Sequence, residues 1–497
     1  MSVIKRLAGQ TATYGLSSIL GRLLNWLLVP LYTRYFLPAE YGIVTELYAY
    51  AGLFYVLFTY GMETAFFRYS EKHGHDEKVF STAAWSLIVS SVGLGAVLLY
   101  FSSDFASWLN YPRHSHFIRI FVLILVFDAI AAIPFARLRA ENKALRFAMV
   151  KLSNIGINVG LNLFFIVLCP AILSGGVHSG LDRIIERIYH PEFGVGYIFL
   201  SNLLASAATV LLLLPAFRKL KFGFSALLWK EMMRYGVPLL MVGLASVIND
   251  NLDKILLKFL LPGTPQFVSA QIGIYGACYK LSILMIIFIQ AYRYAAEPFF
   301  FSEAKKEGAR QSYALVMKYF VIAGALIFLG VLFYMPIIKY FIGPRYHEGL
   351  YVVPILLLAN LFLGIYYNLS VWYKLTDKTL TGGYIAVFGS LITIVGNILL
   401  IPVLGYEGSA WATLACYTSM AAVSWHLGQR HFPIRYAHGK IAFYLFFALG
   451  LYLLSHLFME PLLGSNALLV ANSILFVFYL VVVYRMEGSE FAAGLKD

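Results

Sequence analysis

The chain has 497 residues, 60% of them hydrophobic and 13% charged, with a net charge of +13. A soluble domain carries roughly 25% charged residues, so an aqueous fold is excluded and a lipid bilayer is the solvent that fits. The basic residues sit in short segments between apolar runs. That placement points to membrane topology and anionic lipid, and away from nucleic acid, for which the sequence holds no recognition module.

Lys5 and Arg6 precede an apolar stretch that runs to about Phe36. It is too long for a signal-peptide core and no small-residue cleavage site follows, so it reads as an uncleaved first span, 8–36. Apolar runs broken by charges and Pro/Gly turns place further spans at 41–68, 80–102, 115–137, 146–172 and 192–217. A basic linker, 218–234, follows. Then come spans at 235–261, 269–300, 311–337, 349–373, 380–404, 407–428, 439–457 and 465–484. The expected fold is an all-α polytopic membrane protein of about fourteen transmembrane helices. The connector 174–191, with Asp182, Arg183, Glu186 and Arg187, reads as a short amphipathic segment. No Walker A loop is present. Cys169, Cys278 and Cys416 are far apart within or beside apolar runs and read as small core residues. His73 and His75 read as a solvated polar turn.

The loops test the span count independently. With a cytoplasmic N-terminus, the inside segments hold twenty-four Lys and Arg residues, from Lys5 to Lys496, and the outside segments hold five: Arg113, Arg183, Arg187, Lys339 and Arg345. One missed span would invert every later loop, so the contrast supports an even count with both termini in the cytoplasm. The two halves also share a faint pattern. Tyr14-Gly15, Gly21, Leu37-Pro38 and Tyr41-Gly42 correspond to Tyr235-Gly236, Gly243, Leu261-Pro262 and Ile272-Gly273. Parallel repeats of this kind predict two pseudo-symmetric six-helix lobes, 1–217 and 235–428, joined by the linker 218–234. Residues 429–497 then supply two additional helices and a cytoplasmic tail.

A charge inside a span costs several kcal/mol unless it is paired or wet. The first span carries Arg22 and Arg34, the second Glu46 and Glu63 with Arg68 at its inner end, and the fourth Arg119 and Asp128. The seventh carries Asp250, Asp253, Lys254 and Lys258, and the eighth Lys280, Arg293 and Glu297. Asp250 and Lys254 are four apart and can pair on one helix face. Asp253 lies on the same broad side and Asn249 and Ser246 add oxygens nearby, so this group reads either as a cation or proton site or as a structural ion pair. Arg293 and Glu297, four apart, have the spacing of a local helix pair, and Glu63 with Arg68, at the inner end of the second span, is read the same way. Arg22 has no opposite charge within four residues; its partner has to be another helix, such as Asp128, or an anionic ligand, and guanidinium suits phosphate through its bidentate fork. Tyr48, Tyr50, Tyr55 and Tyr60, and Tyr366, Tyr367 and Trp372, read as packed or lipid-facing aromatics or as cavity lining suited to sugars.

The stretch Tyr14 to Arg22, the segment Pro30-Leu31-Tyr32-Thr33-Arg34 and the turn Pro38-Ala39-Glu40-Tyr41-Gly42 resemble the start of polysaccharide-biosynthesis flippases. These belong to the multidrug/oligosaccharidyl-lipid/polysaccharide exporter superfamily. Tyr60 to Tyr69 is similar to the end of their second helix, and Pro402 to Ala410 to their recurrent proline–glycine turn. The resemblance implies alternating access by two lobes around a polar cavity. It implies an undecaprenyl-diphosphate-linked O-antigen or exopolysaccharide unit, moved from the cytoplasmic to the periplasmic leaflet of a bacterial inner membrane, beside a polysaccharide synthesis machinery. Arg22 matches the position where related flippases meet the pyrophosphate. Arg34, Glu63, Arg68, Asp128, Lys280, Arg293 and Glu297 complete the expected substrate-binding set. Asn249, Asp250 and Asp253 form the expected coupling set, in the helix where some relatives bind sodium. Lys254 departs from a clean sodium site and leaves sodium or proton open; no other cofactor is expected. The alternatives are a lipid II flippase, a cation-coupled multidrug antiporter and, from another class, a membrane glycosyltransferase or polymerase. The short, candidate-poor outside loops argue against an enzyme.

Overall fold

The computed structural model describes residues 20–21, 23–73, 76–109, 111, 114–175, 182–218, 220, 223–304 and 306–494, with side chains as far as 488. Among the described residues every regular element is a helix. Fifteen long helices carry the architecture: α1 Pro38–Thr59, α2 Met62–Lys72, α3 Glu77–Tyr100, α4 Ser115–Ala140, α5 Ala144–Leu163, α6 Gly196–Phe217, α7 Ala226–Leu260, α8 Pro265–Leu281, α9 Ile283–Glu303, α10 Ala309–Phe333, α11 Val353–Leu369, α12 Thr379–Leu404, α13 Tyr406–His431, α14 His438–Leu454 and α15 Ser465–Gly494.

Among the described residues, twelve candidate spans are long and apolar enough to cross a membrane. They fall at twelve of the fourteen expected positions. Residues 8–19 and 22 of the expected first span lie outside the described residues, and its described part ends in the short helix Val29–Tyr35. The expected twelfth is α13, whose buried Ser409, Thr413 and Ser424 make it more polar than the rest, and it is not among the twelve.

Several expected spans are interrupted. The second breaks at Tyr60 and Gly61, both with positive φ (32° and 72°), giving α1 and α2. Gly61 is required on two counts: its left-handed backbone, and a Cβ that would lie 2.5 Å from the Gly236 carbonyl oxygen. The fifth passes through a π-helical turn, Phe164–Leu168, immediately before Cys169 and Pro170. The eighth breaks at Ser282 into α8 and α9. The expected linker 218–234 is partly helix, because Ser225 caps α7 by accepting from the Leu228 N–H (3.4 Å) and starts it at Ala226. The connector before α6 holds the short helix Asp182–Ile188, with Ile185 buried.

The chain forms two compact units, Met1–Gly273 and Ile274–Asp497, with the boundary inside α8. In the first unit, Met62, Phe66, Phe80, Leu87, Ile133 and Met232 make a core shared by α2, α3, α4 and α7. Phe135, Phe147 and Leu213 join α4, α5 and α6. α7 packs on α1, α2 and α3, and α8 starts against α1. At that last crossing Gly42 and Gly273, the repeat-equivalent glycines, lie backbone to backbone. A Cβ on Gly42 would sit 1.8 Å from the Ser269 oxygen, and one on Gly273 would sit 2.0 Å from the Pro38 oxygen. Only glycine permits this approach.

In the second unit α13 packs on α11 and α12. Asn397 accepts from the Ser409 hydroxyl (2.9 Å) and donates to the Thr393 carbonyl (2.7 Å), satisfying its polar atoms within the apolar interior. The last two helices are tied in by a buried charge. Glu487 of α15 is fully buried and receives Lys318 of α10 (2.5 Å), Tyr444 of α14 (2.6 Å) and Lys440 (3.0 Å).

Two predictions follow from these contacts. Gly42→Ala forces two backbones apart and lowers stability by about 1–3 kcal/mol, the usual range for overpacking; Gly93→Ala, whose Cβ meets nothing within 4 Å, serves as the silent control in a detergent melting assay. Glu487→Ala strands Lys318 beside Lys440 and costs about 3–5 kcal/mol. The same melting assay reads it, and a melting temperature equal to that of the parent would show that the ion cluster does not hold α15.

Candidate functional site

A cavity of about 500 Å³ opens inside the first unit, between α1, α2, α4, α5 and α6. Three helices contribute polar stripes at helical spacing. Asp128 and Arg139 lie along α4, with Phe135 between them, Lys151 and Asn154 along α5, and Asn202, Ser206 and Thr209 along α6. Glu63 enters from α2, just past the Tyr60–Gly61 break, and Tyr55 from α1.

The charges are balanced across the space. Glu63 forms a salt bridge with Arg139, whose guanidinium also lies over Phe67 (4.9 Å to the ring centre). Asp128 takes a hydrogen bond from Ser206, with Lys151 as the cation acting on it. The Lys151 ammonium sits over the Phe135 ring at 4.4 Å. Asn154 donates to Thr209 (2.9 Å), and Asn202 donates to the Tyr48 hydroxyl (2.9 Å). Just beyond α4, burial opposes ionisation of Glu141, but hydrogen bonds from Lys143 and Arg137 bring its pKa down to about 2. Two carboxylates, two cations, amides and hydroxyls thus surround a space within membrane-spanning helices. Such a set can engage a charged, polyhydroxylated group or water.

The structure unites some of the expected site residues and separates others. Glu63 and Asp128 share this cavity. Glu63 pairs with Arg139 on another helix, in place of the local pair with Arg68 that was expected at the inner end of the second span. Arg68 lies over the Tyr235 ring at 4.3 Å. Arg22 lies outside the described residues. Arg34 is exposed and donates to the Pro30 carbonyl. On α7, Asn249 and Asp253 are buried and Asp250 is exposed. Lys254 reaches the Asp253 carboxylate (2.9 Å) and the Asp250 backbone carbonyl (3.0 Å).

Arg293 and Glu297 belong to the second unit. They stand 3.8 Å apart, and Lys374 binds Glu297 more closely, at 2.6 Å. Arg293 lies over Tyr367 (4.1 Å), giving this unit its own cationic and aromatic patch. Lys280 lies half-buried on α8. Of the aromatics singled out in the sequence, Tyr55 lines the polar cavity. Tyr60 hydrogen-bonds Ser86 (2.7 Å) at the edge of a separate, apolar cleft of about 740 Å³ lined also by Trp85 and Trp229. Trp372 is buried against His431.

Arg139, Lys151, Asn154 and Asn202 were not legible as site residues. Arg139 read as a topological loop charge, because the expected fourth span stopped short of it. Lys151 and the two asparagines did carry a signal: an ammonium and two amides inside apolar runs, at the same 3.6-residue period as their neighbours.

The fold defines the class of protein. Its solved counterparts include the lipid II flippase MurJ in an inward closed conformation, with a TM-score of 0.69 at 14% identity, covering 96% of this chain and 99% of that one. They also include a multidrug resistance MATE family transporter of the MOP superfamily. Its inward-facing form gives a TM-score of 0.64 at 13% identity, covering 85% of this chain and 97% of that one. Its outward-facing form gives 0.56 at 13% identity, over 86% and 98%. The chain is a multi-pass helical membrane protein with the fold of these transporters. Within it, residues 31–179 match the family model described as polysaccharide biosynthesis protein, a range that holds Glu63, Asp128, Arg139, Lys151 and Asn154. No curated protein matches the sequence.

The Glu63–Arg139 bridge is about one-third exposed on both sides, so its strength is that of a partly solvated pair. A double-mutant cycle of Glu63→Gln and Arg139→Gln should give a coupling of about 1 kcal/mol in thermal unfolding; strict additivity would show that water, and not Glu63, neutralises Arg139.

Proposed function

We propose that this chain is a flippase that carries an undecaprenyl-diphosphate-linked oligosaccharide, an O-antigen or exopolysaccharide unit, from the cytoplasmic to the periplasmic leaflet of a bacterial inner membrane. The observation that carries the reading is the polar cavity of the first unit. It is built by transmembrane helices of a transporter fold, and most of its charged lining falls in the segment that matches a polysaccharide-biosynthesis family. A diphosphate needs fixed cations in a low-dielectric space, and glycans need amides, hydroxyls and aromatic faces. Arg139 and Lys151 supply the first; Asn154, Asn202 and Tyr55 supply the second.

The reading extends to the other residues expected from the sequence. Arg22, in the first span, is assigned to the diphosphate, and Arg34, Arg68 and Lys280 to the passage of the anionic head. Arg293 and Glu297, with Tyr367, form the matching patch of the second unit. The reading puts both termini in the cytoplasm, in keeping with the positive-inside pattern of the basic segments between helices.

Coupling to sodium or to protons is part of the proposal. The Lys254 ammonium already occupies the Asp253 carboxylate, so a cation at Asn249, Asp250 and Asp253 has to displace it. A membrane glycosyltransferase or polymerase is disfavoured, since the polar residues that converge here lie within membrane helices. A lipid II flippase differs in cargo only, and a drug antiporter differs in phenotype.

Arg139→Ala and Lys151→Met should each lower surface glycan display by about tenfold or more, the loss expected from one charge-assisted contact, with the protein still inserted in the membrane. Arg22→Ala should do the same. Flipping of a fluorescent lipid-linked oligosaccharide in proteoliposomes checks the step directly. Normal display in all three variants would sink the assignment. Rescue of a strain depleted of its lipid II flippase would move the cargo to lipid II, and drug sensitivity with normal glycan would move it to an antiporter.

A further inference from the structure

A second group of charges in the first unit lies outside the polar cavity. Glu46 of α1 is fully buried, and Lys258 of α7 nearly so. Their side chains meet with the Lys258 Nζ 3.1 Å from Glu46 Oε2. Tyr111, in the connector before α4, donates its hydroxyl to the same oxygen at 2.6 Å and stands 3.2 Å from the Ser269 hydroxyl of α8. The ammonium lies 3.7 Å from the centre of the Tyr111 ring. Lys258 and Tyr111 therefore converge on one carboxylate oxygen, and Tyr111 links the group on to α8 through Ser269.

The other oxygen is different. Among the described residues Glu46 Oε1 is buried without a hydrogen-bond partner, and so is the Tyr50 hydroxyl one turn along α1. A buried pair with one oxygen unsatisfied is a poor way to gain stability, because two ions have been dehydrated and only part of the loss is returned. A packed leucine and methionine would hold the same helices more cheaply. The pair has a property that apolar packing lacks: once the helices part, water solvates both ions, so the open state is not penalised as exposed apolar surface would be.

The surroundings fit that property. The pair lies where α1 begins and α7 ends, at the end of α7 away from its basic start. It is one turn from the Gly42–Gly273 crossing, where two backbones touch with no interlocking side chains. Smooth glycine surfaces let helices separate without unthreading knobs from holes. Leu37-Pro38 and Leu261-Pro262 end the preceding helices in extended backbone (ψ 155° and 122°), which uncouples α1 and α8 from what comes before them.

We propose that Glu46, Lys258 and Tyr111 form a charge latch that holds the outer end of α1 against α7 and α8, and that transport requires the latch to open. The inference rests on the alternating-access reading above. It adds the closing residues, and it assigns the α1–α7 contact to one state of a cycle instead of to the permanent core.

The test reads the latch without substrate, so its failure is separable from failure of the flippase assignment. A cysteine at Ala49, which is 1% exposed and lies one turn inside the latch, is introduced after the three native cysteines are replaced. Its rate of labelling by a membrane-impermeant maleimide is measured in intact cells. With the latch intact labelling is slow. Glu46→Gln and Lys258→Met should each raise the rate by about tenfold or more, the population shift expected when one ion of a buried pair is neutralised. The charge-swapped double variant, Glu46→Lys with Lys258→Glu, should return the rate toward that of the parent. Tyr111→Phe keeps both charges and removes one hydrogen bond, so it should give a smaller rise; it serves if the neutralised variants fail to insert. Inserted variants that all label at the parental rate would overturn the proposal, as would a double swap no slower than either single neutralisation.

Discussion

Charge pairing inside a low-dielectric interior is the constraint on which the rest of this structure depends. Water cannot solvate an ion buried among membrane helices, so each such ion must find another. The helices supply partners from distant points of the chain. Glu46 meets Lys258, Glu63 meets Arg139, and Glu487 gathers Lys318 and Lys440. Each pairing fixes which helices are neighbours. The three differ in completeness, and the difference separates their roles. Glu487 has both oxygens satisfied and anchors α15. Glu63 and Arg139 are partly solvated beside a cavity. Glu46 has one oxygen without a partner among the described residues, near a helix crossing.

The cavity of the first unit follows from the same constraint applied along helix faces. Asp128, Lys151, Asn154, Asn202, Ser206 and Thr209 would each be costly against lipid. Set at three- and four-residue intervals on α4, α5 and α6, they face one another instead, and the space between them becomes polar. The apolar sides of the same helices build the surrounding core, with Phe135, Phe147 and Leu213 next to the polar stripe. One set of helices thus makes both the scaffold and the site, and the dry scaffold strengthens every electrostatic contact within the site.

Backbone chemistry sets where these helices bend and touch. Tyr60-Gly61 turns α1 into α2 and brings Glu63 to Arg139. Gly42 and Gly273 allow a contact that a methyl group would forbid. Both glycines stood out in the sequence as equivalent points of a faint repeat. Their contact could not be seen there, because a repeat says that two segments are alike and not that they meet.

What the sequence by itself determined was the solvent, the helices and the charges that would need company. Apolar runs of span length and charge-poor composition allow little else in a bilayer, since every backbone polar group must be satisfied within its own segment. That requirement is local, so it is legible residue by residue. The partners were not. Nearness along one helix suggested Glu63 with Arg68 and, at four-residue spacing, Arg293 with Glu297. The structure gives Glu63 to Arg139, and gives Glu297 a nearer cation in Lys374. A helix offers each ion only its own neighbours, whereas packing offers it the faces of every adjacent helix, and the closest uncommitted countercharge wins. The bilayer dictated that Glu46 could not stay alone; only the tertiary structure decided that Lys258, 212 residues away, would be the one to meet it.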